Sequence, residues 1–228
     1  MNYIKIMLLF LAAIGMMTIG ITYIQRLQIS KEKILLKKIR YLFPVTKIYR
    51  IFYIMSLLIG FILSCFLIYV YPDKNIFIQK VRIVGLYGIL CPIAVIDYQT
   101  HTIPNKLLLR TAVIWVISVM AELIKNPTLV FDDVKDSVIA AMVIFIVCIL
   151  CKLLIKNGIG MGDIKLFMVM GLFQGSTGAS GAIFMSMIVA FFGAVGMLIL
   201  KKKNRKDNIC FGPFILIGTT LSMFLSGV

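Results

Sequence analysis

Acidic residues are scarce in this chain, with nine Asp and Glu against 24 Lys and Arg in 228 residues, and there is one histidine. With His101 the only imidazole, no serine or cysteine has an obvious base partner, which argues against a Ser–His or Cys–His nucleophile. A lone loop histidine reads as a surface residue. No cluster of His, Cys and Asp has metal-ligand spacing, so no metal and no cofactor is expected. The five cysteines lie mostly inside apolar runs. Cys148-Ile-Leu-Cys151 has redox-motif spacing but sits mid-helix among apolar neighbours, where packing is the expected role. No disulfide framework is implied. The stretch from Tyr3 to Tyr23 has almost no basic leader and no small-residue cleavage site, so it is expected to be a retained first helix. No internal repeat and no low-complexity tail is evident.

What the chain has in excess is apolar surface. It is 61% hydrophobic, with a mean hydropathy of +1.03, against about 45–50% apolar residues in soluble domains. The expected fold is therefore all-α, a polytopic membrane helical bundle. Runs long enough to span a bilayer, roughly 20 residues each, fall near 3–25, 51–71, 81–96, 107–124, 137–155 and 183–200. A shorter run covers 164–173 and a last one 211–228, which makes eight crossings. The stretch Gln174-Gly-Ser-Thr-Gly-Ala-Ser-Gly181 reads as a turn or as a closely packed helical continuation.

The net charge of +15 fits inner-face loops facing anionic headgroups better than nucleic acid, because the basic residues fall between apolar spans. Arg26–Arg50 holds eight basic residues and one acid, and Lys201–Lys206 forms a second block. Placing both inside puts the two termini outside. It returns 97–106 and 156–163 to the inner face, and leaves the mixed-charge segment Lys125–Asp136 as an outer loop. Arg26–Arg50 reads either as a basic amphipathic helix or as a solvated loop. Residues 1–80 are expected to hold N-terminal spans with this loop, and 81–228 a membrane core.

Two of the few acids stand out. Asp97 ends the apolar run Ile89–Ile96, and Asp163 closes Gly158-Ile-Gly-Met-Gly. A carboxylate at membrane depth is costly and is a functional candidate by default. The bland readings are a helix-end acid for Asp97 and an N-cap for Asp163. The topology returns both to one face, where they could meet. Close carboxylates share a proton, so one can polarise a water while the other donates to a carbonyl. That is the chemistry of peptide hydrolysis without a covalent intermediate.

Asp97 with Ile103-Pro104-Asn105, Gly160-Met-Gly162-Asp163-Ile-Lys165-Leu166, and Phe211-Gly-Pro-Phe214, in this order, resemble the bacterial type IV prepilin peptidases, intramembrane aspartic proteases with a GxGD signature. The resemblance implies an aspartic endopeptidase of the bacterial cytoplasmic membrane. It would remove the basic leader of prepilin or pseudopilin partners at the inner face. Asp97 and Asp163 would be catalytic, and Gly160, Gly162, Lys165, Pro104 and Asn105 would bind substrate, with Lys165 a possible charge partner of the dyad. Many members carry a zinc-binding domain with paired C-x-x-C motifs after the first span and also N-methylate the product. Arg26–Arg50 has no cysteine, and the usual element near the first span is degenerate as Gly20-Ile-Thr-Tyr-Ile-Gln-Arg26. A form without zinc and without methyl transfer is expected. The rival readings are a proton-coupled transporter and a non-catalytic pilus or secretion assembly protein.

Overall fold

The computed structural model describes residues 2–30, 47–71, 77–124, 127–154, 159–199 and 210–227. Seven helices and no strand are found among the described residues. They are α1 (Asn2–Ser30), α2 (Lys47–Tyr69), α3 (Phe77–Thr100), α4 (Asn105–Leu123), α5 (Pro127–Leu154), α6 (Met161–Ile199) and α7 (Gly212–Ser226). The amphipathic helix expected within Arg26–Arg50 falls largely outside the described residues, as does the basic block Lys201–Lys206.

The bundle is built around α3. Its residues are buried without interruption from Arg82 to Asp97. A helix apolar on every side must be covered on every side, and α1, α2, α4, α6 and α7 all pack on it. Small residues set the closest approaches. A Cβ on Gly88 would collide with the Ala13 backbone of α1, and one on Gly20 would collide with the Pro92 ring of α3. Such contacts let backbones meet where lipid supplies no hydrophobic drive.

The outer faces are apolar. Ile54, Met55 and Leu58 on α2, Met142, Ile146 and Leu150 on α5, and Phe191 and Phe192 on α6 are all exposed. Helices α1, α2, α3, α5 and α6 contain stretches long and apolar enough to cross a membrane. The chain is a multi-pass membrane protein.

Helix α6 is broken at Gly175, whose φ of 69° and ψ of −168° lie in a region open essentially to glycine alone. The small-residue stretch is therefore helical on both sides of a one-residue break. The break frees the Ser176 N–H, which donates to Asp136 Oδ2 at 2.8 Å. This places Asp136 on α5 rather than in the outer loop expected over 125–136. The helix starts at Pro127, a residue suited to a first helical turn. A second acid of that segment finds a partner on a neighbouring helix, since the Gln79 amide donates to Asp133.

One ion pair is buried among the described residues. Arg82 Nη2 of α3 lies 3.1 Å from Glu122 Oε2 of α4, and the side chains are 5% and 0% exposed. Removing one partner of such a pair strands the other charge, at a cost of about 3–5 kcal/mol. Arg82→Leu is expected to lose stability on that scale in thermal unfolding of the purified protein. Arg82→Leu with Glu122→Leu should recover most of the loss. A double variant no more stable than the single one would refute this account.

Candidate active site

The first aspartate lies in the last turn of α3. The helix runs on to Thr100, whose Oγ1 donates to the Ile96 carbonyl at 2.8 Å. His101, with φ of 51°, ends it, while the His101 N–H donates to the Asp97 carbonyl at 2.8 Å. The imidazole is exposed, so His101 acts here through its backbone. Asp97 is 5% exposed. A buried carboxylate needs a donor, and the backbone N–H of Gly212 supplies one, 2.7 Å from Oδ2. Gly212 is the first residue of α7, with Phe211 as N-cap and Pro213 behind it. Asp97 thus sits at a helix N-terminus, where unpaired N–H groups and the helix dipole favour an anion.

The second aspartate lies in the first turn of α6. It is not the N-cap, because the helix begins at Met161. It stands one turn in, at the place of the third residue of a capping box, with the Gly160 backbone N–H facing its carboxylate. The Asp97 charge also acts on this carboxylate. The two acids are therefore electrostatic neighbours, Asp97 held by the Gly212 N–H at the start of α7 and Asp163 in the first turn of α6. Among the described residues neither forms an ion pair with a basic side chain.

The remaining candidates form the frame around the pair. A Cβ on Gly160 would lie 2.8 Å from Asp163 Oδ2, and one on Gly162 would lie 3.0 Å from Ile103 Cβ. Gly162 therefore lets the start of α6 lie against the turn between α3 and α4. Pro104 is the N-cap of α4, extended at φ −74° and ψ 119°, and its carbonyl accepts from Leu107 and Leu108. Lys165 Nζ donates to Asn105 Oδ1 at 3.0 Å, so this ammonium ties α6 to α4. Phe167, one turn beyond Asp163, meets the Phe211 ring edge to face at 5.9 Å between centroids. That contact fixes the start of α7 against α6.

Gly212 is the site residue that side-chain reasoning passed over. The Phe211-Gly-Pro-Phe214 motif marked the place, but a backbone donor has no side-chain chemistry to announce it. Cys148 and Cys151 are free thiols on α5. Among the described residues no group of three or more His, Cys, Asp or Glu could hold a metal ion.

The type IV leader peptidase family matches residues 84–198, half of the chain, and the chain belongs to that family. The matched range holds both aspartates and ends before Gly212. The chain is 27% identical over 143 residues to the prepilin leader peptidase/N-methyltransferase of Aeromonas hydrophila, covering 60% of this chain and 47% of that protein. It is 27% identical over 150 residues to the protein of the same name from Pectobacterium carotovorum subsp. carotovorum, covering 62% and 50%. The chain thus spans about half the length of these curated relatives. No solved structure matches it.

A Cβ on Gly212 would lie 2.8 Å from Asp97 Cβ and 2.9 Å from Oδ2. Gly212→Ala is therefore expected to destabilise the folded protein by about 1–3 kcal/mol, as overpacking does. Gly15→Ala is the control, because nothing lies within 4 Å of its added Cβ. It should be neutral or slightly stabilising, since Ala is the better helix former. Thermal unfolding of the two variants side by side checks this, and equal midpoints would contradict it.

Proposed function

We propose that the chain is a membrane-embedded aspartic endopeptidase that removes the basic leader of type IV prepilin or pseudopilin precursors. The observation that carries this is the pair of acids at helix starts, Asp97 bound to the Gly212 N–H that opens α7 and Asp163 in the first turn of α6, close enough for one charge to act on the other, in a chain that belongs to the leader peptidase family. Two carboxylates in one another's field hold a proton between them more easily than two charges. The ionised member takes a proton from water as it attacks the scissile carbonyl. The protonated member donates to the carbonyl oxygen, the member that took the water's proton passes it to the leaving amine, and collapse of the gem-diol returns the first proton to its donor. The proton is a property of the pair, so neither aspartate is assigned a single role.

In this reading the basic segments 26–50 and 201–210 face the cytoplasm against anionic headgroups. The chain crosses the cytoplasmic membrane eight times, with α6 counted as two spans broken at Gly175 and both termini outside. The peptidase core is 81–228. Gly160, Gly162, Pro104, Asn105 and Lys165 line the approach of an extended peptide, which glycine backbones allow to come close.

The test uses the purified chain with a prepilin bearing its leader. Asp97→Asn and Asp163→Asn should each lower cleavage by at least about 10²–10⁴-fold, while the protein still inserts and keeps its unfolding midpoint. Cleavage at the wild-type rate by either variant would end the dyad reading. A proton-coupled transporter draws support from the helix broken at Gly175, because broken helices line transport sites. It predicts pH-driven uptake into liposomes and an intact prepilin.

In the same assay with labelled S-adenosylmethionine, no label should pass to the product. Transfer of label would overturn the peptidase-only form.

A further inference from the structure

A second polar site lies at the opposite end of α3 from Asp97. Arg82 and Asp97 stand near the two ends of one helix, roughly 22 Å apart along its axis. Beside Arg82 is a cavity of about 130 Å³ lined by Gln79, Arg82, Asp133, Asp136, Gln174 and Thr177, among others. By the share of liquid volume that each takes, it has room for about four waters.

Of the charged side chains that line the cavity, one is a cation, Arg82, and two are carboxylates, Asp133 and Asp136. Arg82 is paired with Glu122 and also feels Asp133. Beyond the Arg82–Glu122 pair, two carboxylates remain. Asp133 receives the Gln79 amide, and Asp136 receives the Ser176 N–H. Asp133 is half-buried and Asp136 is exposed.

An independent observation concerns Gln174. It is 5% exposed, it lines the cavity, and neither its amide oxygen nor its amide nitrogen has a hydrogen-bond partner among the described residues. Leaving a buried amide unpaired costs about 1–3 kcal/mol. Its carbonyl oxygen, two carboxylates and the Thr177 hydroxyl are hard oxygen donors, the set that suits hard cations.

We propose that this cavity binds a small hard cation at the end of the bundle remote from the aspartate pair. No three His, Cys, Asp or Glu side chains converge among the described residues. The ion therefore keeps part of its water shell, and the cavity has room for it. The ion offsets the surplus charge of Asp133 and Asp136 and occupies the Gln174 oxygen. Because Asp136 also holds the break at Gly175, binding joins α3, α5 and α6 at one point. The proposal is independent of peptidase activity.

The test is thermal unfolding of the purified full chain in detergent, titrated separately with calcium, magnesium and sodium chloride. Tetramethylammonium chloride holds the ionic strength constant. At least one ion should raise the midpoint saturably. Asp133→Asn and Asp136→Asn should each weaken that ion's apparent affinity by roughly tenfold or more. Gln174→Leu, which leaves the Gly175 break and both acids in place, should weaken it as well. If Asp136→Asn fails to fold, Asp133→Asn and Gln174→Leu decide the matter. A wild-type midpoint that no ion moves would overturn the proposal. So would a shift that survives unchanged in Asp133→Asn and Gln174→Leu, which would mark an adventitious ion only.

Discussion

A carboxylate removed from water must be given donors by the protein, and most of this site's construction follows from that requirement. Asp97 is almost fully buried, and its Oδ2 is met by the Gly212 N–H. Asp163 stands in the first turn of α6 with the Gly160 N–H facing it. Both N–H groups belong to helix starts, where they have no intrahelical acceptor. The Gly212 bond therefore satisfies two needs at once, that of the acid and that of the helix end. The price is a strict demand on the chain: α7 must begin where α3 ends, and position 212 has no room for a side chain. The Phe167–Phe211 contact and the fit of Gly162 to Ile103 then fix α7 and the α3–α4 turn against α6.

How much of this was legible in the sequence depends on which atoms carry the interaction. Asp97 and Asp163 stood out as candidates because charge is rare in a chain this apolar, and because placing the basic blocks inside would return both to one face. Pro104 announced the turn into α4, since proline cannot continue the preceding helix. The role of Gly212 was not legible, because its contribution is a backbone N–H and an absent side chain. Lys165 read as a neighbour of the acids, but only the tertiary structure sets Asn105 within its reach. The segment 125–136 read as a loop because it is charged. Its acids are tolerated on α5 because Gln79 and Ser176 come from other helices to meet them. Which glycine breaks α6 was hidden for a similar reason. Several lie within 171–181, and Asp136 singles out Gly175 by capping the N–H that follows it.

The two polar ends of the bundle share their supports. Helix α3 carries Arg82 at one end and Asp97 at the other. Helix α6 carries Gln174 and Gly175 at one end of its first half and Asp163 at the other. Between these ends the contacts are mostly apolar, with the Tyr87 hydroxyl donating to the Ser56 carbonyl of α2 at 2.8 Å, and α3 is enclosed along its length. A buried helix packed on five neighbours cannot rotate without disturbing all of them. The register of Asp97 is thus fixed by the packing around Gly88 and Pro92 as well as by Gly212.

This bears on how an acid pair can work in such a setting. Proton sharing requires two carboxylates to stay near each other although their charges repel, and repulsion grows where water is excluded. Free side chains would turn apart. Here Asp97 is tied to a backbone donor that cannot move without unwinding α7, and Asp163 is fixed in the first turn of α6, so both anchors oppose the repulsion. With Oδ2 of Asp97 held by Gly212, rotation of that carboxylate about its axis is restricted and the direction of its second oxygen is set. A water between the acids would then meet an acceptor already oriented, and orientation of this kind is what lowers the barrier to its attack. The glycines at 160, 162 and 212 support the same arrangement from outside: each removes a side chain that would press on Asp163, Ile103 or Asp97. The pair is held by what binds it and cleared by what is missing around it.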